Sequence, residues 1–169
     1  MARRRARLNL FDKIVLFLIA ALIVVGAFMA LVVAPIRNAR DQAFQKTMSG
    51  LNLTLRADSS NTKAVTLEDG EYSTQYIPGE LKAKNPDEVR YVVFLERDSV
   101  KVGYYSGGGG AYQHVYTLSI RDLVTGETVA TQEFTGGYPP MQTTKKGSVY
   151  GSVPSEERIR EWVVSYISG

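Results

Sequence analysis

A chain of 169 residues, 44% of them apolar, has room for one modest domain and little else. It contains no cysteine, which excludes disulfides, thiolate metal sites and cysteine nucleophiles, and it has one histidine. The +3 formal charge is uneven: residues 1–46 hold eight of the 20 Lys and Arg but only two carboxylates, Asp12 and Asp41, leaving 12 cations against 15 carboxylates in residues 47–169. Basicity thus belongs to the N-terminal stretch, and nucleic acid, which needs a basic folded face, is not an expected partner.

Taken in chain order, residues 1–13 read as a basic cytoplasmic tail. No charged residue occurs between Lys13 and Arg37, which predicts a transmembrane helix over residues 14–36. Such a run is apolar on every face and matches a hydrocarbon thickness of about 30 Å. A cleaved signal peptide fits less well, because the apolar stretch exceeds the usual length and Pro35 would follow the best cleavage site. An uncleaved signal-anchor is therefore expected. Arg3, Arg4, Arg5, Arg7 and Lys13 precede the span, whereas Arg37, Arg40 and Lys46 follow it. That imbalance places the N-terminus in the cytoplasm and the C-terminal domain outside the cell membrane, with the lipid bilayer as one partner. The lack of cysteine leans toward a bacterial or archaeal envelope.

Residues 37–50 have good helix formers and end in Gly50, as expected of a juxtamembrane helical stalk. Residues 51–169 form the expected extracytoplasmic domain. Its first part offers only turn pairs at Asp69-Gly70 and Pro78-Gly79, a short strand at 64–67, and one helical turn opened by Asn85-Pro86. From residue 89 the pattern sharpens. RYVVFLE is apolar on both faces, and Arg97-Asp98 is expected to turn the chain into a second strand, SVKVGYYS. The glycine run 107–110 is expected to be a flexible loop. AYQHVYTLSIRD alternates through Tyr112, His114, Tyr116, Leu118 and Ile120. A hairpin connection at 122–126, with Gly126 supplying positive φ, leads into ETVATQEF. The last element is an amphipathic helix in SEERIREWVVSYI, with Ile159, Trp162, Val163, Tyr166 and Ile167 on one stripe. Glu156 and Glu157 in its first turn suit the helix dipole. The expected fold class is α+β: an N-terminal transmembrane helix and helical stalk, then a small antiparallel four-stranded sheet with the C-terminal amphipathic helix packed on one face.

Catalytic chemistry is not legible. His114 lies mid-strand with no acidic residue at metal-ligand spacing and reads as an ordinary strand residue. The glycine run lacks the Lys-Ser/Thr and the helix of a phosphate loop. The carboxylates at Glu68/Asp69/Glu71, Asp87/Glu88 and Glu156/Glu157 are explained by turns and helix starts. Asn52-Leu53-Thr54 fits a glycosylation acceptor, relevant only in a pathway that glycosylates. No catalytic, metal-binding or cofactor-binding residue is assigned and no cofactor is expected.

The distinctive feature is aromatic. All ten tyrosines follow residue 70, and Tyr104, Tyr105, Tyr112, Tyr116 and Tyr138, with Tyr150 nearby, surround the glycine run and the Pro139-Pro140 turn. A ring with a polar tip suits a protein interface or sugar stacking. Two functions follow as expectations. One is a membrane-tethered, non-enzymatic binding or assembly module, an accessory subunit partnered with another membrane or envelope protein. The other is an extracytoplasmic ligand- or glycan-binding sensor using the tyrosine surface.

Overall fold

The computed structural model describes residues 10–28, 34–53, 58–142 and 147–168, and the chain divides into two units, residues 1–43 and 44–169. The basic tail and Thr54 of the glycosylation triplet lie outside the described residues, apart from the tail's last four positions in the first helix.

In the first unit, helix α1 covers Leu10–Phe28. Its 19 residues include Asp12 and Lys13, so the uncharged part begins at Ile14. From there to Phe28 an α-helix rises only about 22 Å, short of the ~30 Å hydrocarbon layer. The next helix, α2 (Ala34–Met48), starts with Pro35 in its first turn, where the missing N–H costs nothing, and is polar beyond Ile36. Among the described residues no helix is long and apolar enough to cross a membrane. This corrects the expected transmembrane span over 14–36. The single-pass topology and the extracytoplasmic placement, which rested on that span, fall with it.

The second unit begins inside α2, at Phe44. Its strands are β1 (Lys63–Glu68), β2 (Glu71–Ser73), β3 (Val89–Tyr104), β4 (Gly110–Asp122), β5 (Thr128–Thr135) and β6 (Val149–Tyr150), and helix α3 (Glu156–Ile167) closes the chain. They form one six-stranded mixed sheet ordered β2-β1-β3-β4-β5, with β6 also against β4. The expected four-stranded antiparallel sheet is corrected in two respects. First, Arg97-Asp98 makes no turn: pairing runs unbroken through Arg97↔Tyr116 and Asp98↔Val115, so the two predicted strands are halves of β3. The charged pair sits there because β3 has left the core by this point. Arg97 is satisfied by Glu68 at 2.7 Å and by Gln75 at 2.9 Å. Second, the weakly patterned 63–73 segment joins the sheet. Asp69 and Gly70, at φ 49° and 81°, turn β1 into β2, and β1 runs parallel to β3.

Both faces of the sheet are covered at the β1–β3 end. On one face Val93, Leu95, Leu118, Ile120 and Phe134 pack with Ile159, Val163 and Ile167 of α3. Ser155 caps that helix by accepting from the Arg158 N–H. On the other, Val65, Val92 and Leu123 pack with Met48 and Leu51, and Phe44 leans on them. The end of α2 is thus part of the second core and not a free stalk. Beyond Leu95 every side chain of β3 is exposed or half-buried, and β3 and β4 run on past β1 as a ribbon that is flanked along β4 first by β5 and then by β6 and ends in the glycine run.

Candidate binding surface

Strand alternation puts Lys101, Tyr112, His114 and Tyr116 on the face that α3 covers further back. The carbonyls of Tyr112 and His114 accept from Gly151 and Gly136, at 2.9 and 2.8 Å, along the ribbon's outer side. The Gly151 bond docks β6 beside β4 and sets Tyr150 opposite Tyr112, whereas the Gly136 bond continues the β4–β5 pairing. The result is a row of three rings. Tyr150 stacks between Tyr112 at 5.1 Å and His114 at 5.4 Å, nearly parallel to both. The Lys101 ammonium lies 3.8 Å from the centroid of Tyr104 and 5.7 Å from that of Tyr112. The Tyr104 hydroxyl raises the pKa of that ammonium, so the cation persists at any physiological pH.

The glycine run is a defined turn and not slack chain. Tyr105 donates its backbone N–H to Gly109 at 2.8 Å, and Gly108 donates back to Tyr105 at 2.9 Å with φ 89°. A Cβ on Gly109 would overlap the Gly147 carbonyl oxygen, and one on Gly136 would overlap that of Ser152. Tyr105 adds a bond from its hydroxyl to the Pro140 carbonyl at 2.5 Å. Gly136, Pro140, Gly147 and Ser152, after β5, are therefore held against the ribbon and one another.

The five candidate tyrosines divide by this geometry. Tyr104 and Tyr138 are 78% and 77% exposed, Tyr104 meeting the Lys101 ammonium, and fully exposed Met141 is near Tyr138 in sequence. Tyr112 is half-buried in the ring row. Tyr105 pins the loop. Tyr116 lies in the α3 core with Arg97 5.3 Å from its ring centroid, so it presents no ring to a partner. Lys101 had no sequence signal of its own, since only the β3–β4 register brings it to the tyrosines. A second signal was legible in composition: residues 99–120 and 134–154 contain Lys101, Lys145 and Lys146 and no Asp or Glu. The tip of an otherwise acidic unit is thus free of carboxylates.

No group of ligating side chains suited to a metal occurs among the described residues. His114 stacks on Tyr150 and makes no ion pair with a carboxylate among the described residues. An open concavity of about 640 Å³ at the start of α3 is lined by Pro78, Glu156, Glu157, Arg160, Glu161 and Val164, and shares no residue with the tyrosines. Glu156 there is already paired with Arg160 at 2.7 Å. The arrangement supplies flat apolar contact, a fixed cation and hydrogen-bonding hydroxyls, which are means of holding a partner. No protein-family model, curated protein or solved structure matches this chain.

Proposed function

We infer that the chain is a non-enzymatic binding or assembly module that grips an acidic protein partner with the tip of the β3–β4 ribbon. The observation that supports this reading is the exposed Tyr104 ring with the Lys101 cation over it, and a second exposed ring, Tyr138, on the segment after β5, in a region free of carboxylates. Tyrosine contributes large contact area at low entropic cost, and a pinned loop does not have to be ordered on binding. The uniform sign of the tip attracts acidic surfaces and repels basic ones.

Affinity capture with the full chain tests it. An acidic protein retained by the native chain should bind Tyr104→Ala and Tyr138→Ala about 1–2 kcal/mol more weakly each. Tyr166→Ala, on α3, should bind normally. Equal retention by all three variants would refute the reading. A glycan reading draws support from the Tyr112–Tyr150–His114 row, whose polar edges suit sugar hydroxyls. Retention of an acidic oligosaccharide in place of a protein would favour it.

A further inference from the structure

The two edges of the sheet are treated differently. At the β2 edge, Gln45 of α2 accepts from the Tyr72 N–H at 3.0 Å and donates its amide to the Tyr72 carbonyl, closing that edge with a side chain. At the other edge stands β5, eight residues long, exposed at Thr131, Gln132, Glu133 and Thr135, with no proline or lysine to guard it. Its bonding pattern follows from its register. Phe134 opposes Tyr116, and Gly136 donates to His114, so the even-numbered residues bond toward β4. Thr131, Glu133 and Thr135 therefore turn their backbone N–H and C=O groups outward. Of these, the Glu133 carbonyl is met by the amide of its neighbour Gln132 at 2.9 Å.

We propose that β5 pairs antiparallel with β5 of a second copy of this chain, joining two sheets across a two-fold axis at Gln132. The strand's own sequence selects that occupant and that register. Centring on Glu133 would oppose two carboxylates, and centring on Thr131 would set each carboxylate against Val129. Centring on Gln132 sets Glu133 against the Thr131 hydroxyl of the other copy and bulky Phe134 against small Ala130. Thr131 and Glu133 then exchange about four backbone hydrogen bonds across the axis, and a partner N–H replaces the Gln132 amide at the Glu133 carbonyl. Apolar surface waits on both sides of the edge. Val129 is exposed, and Trp162, edge-on to Phe134 at 5.6 Å, carries half-exposed Tyr166 at 5.4 Å. This inference is independent of the tip and its partner.

The absence of cysteine makes the test direct. In the proposed register Gln132 opposes itself in a non-hydrogen-bonded pair, with Cα atoms about 4.5 Å apart, within disulfide reach. The full chain carrying Gln132→Cys should oxidise to a covalent dimer, whereas Thr125→Cys, exposed in the preceding turn, should stay monomeric. Adding Thr131→Pro should abolish the crosslink. That N–H makes no bond to β4, so circular dichroism should show the fold retained. The position dependence between 132 and 125 decides the matter even if the proline variant unfolds. A Gln132→Cys chain that remains monomeric overturns the proposal, as does equal crosslinking at both positions or an undiminished crosslink in a folded Thr131→Pro chain.

Discussion

Asp122 shows how one side chain ties sequence to fold. It ends β4, is 3% exposed, and receives two bonds from Arg90, at 3.2 and 2.9 Å. Its other oxygen accepts from the Val124 N–H at 2.7 Å, and its carbonyl accepts from Gly126, which holds the turn into β5. Burial pushes the carboxyl pKa up, but the Arg90 and turn hydrogen bonds outweigh it and leave the pKa below its usual value. A depressed folded pKa means the carboxylate stabilises the fold above the unfolded value near 4, and that this contribution is lost as pH falls through the folded value. Asp122→Asn should therefore cost about 1–3 kcal/mol at neutral pH, read from urea denaturation, and the deficit should shrink progressively below about pH 4. A deficit that stays constant into acid would show that packing, and not charge, holds this turn.

Among the elements, α3 was legible because its stripe is periodic and its side chains are large. The stripe does not treat its members equally, however. Ile159, Val163 and Ile167 are fully buried, whereas Trp162 packs only partly, against Phe134 and Tyr166. Ile159→Ala should cost about 2–5 kcal/mol. Trp162→Ala should cost less than its size suggests, and the reverse order in thermal melts would place α3 in a different rotation. The sheet was less legible. Arg97-Asp98 looks like a turn locally, but the partner that straightens it is Tyr116, 19 positions later, which no local pattern reports. The parallel β1–β3 pairing was hidden likewise, because the connection between them is the short strand β2 followed by tight turns and lacks a crossover α-helix. At the tip, tyrosine enrichment was visible in composition. Which rings are exposed was not, since Tyr105 and Tyr116 differ from Tyr104 only in what they meet across the strands.

For the whole molecule, the consequential difference lies at the start of the folded unit. Gly50 marks the end of a helix, and a reader of the sequence would begin the domain at Leu51. The sheet disagrees, because its second core needs what precedes that glycine. Met48 is fully buried there with Leu51, Val65, Val92 and Leu123, and Phe44 packs beside them. One turn along, Gln45 closes the β2 edge. A chain cut to start at Leu51 loses the buried thioether, the aromatic ring and the edge cover together, and it leaves two backbone groups of Tyr72 unpaired. A chain starting at Asn38 keeps all three and drops only residues of the first unit. Urea denaturation should then give the chain from Asn38 one cooperative transition. The chain from Leu51 should be less stable by at least the ~2–5 kcal/mol of a buried methionine, which is enough to unfold a domain of ordinary marginal stability. Met48→Ala in the longer chain separates the contributions, since it removes the thioether while Gln45 stays. Equal stability of the two truncated chains would mean that α2 rests on the sheet without stabilising it, and the domain boundary would return to Leu51.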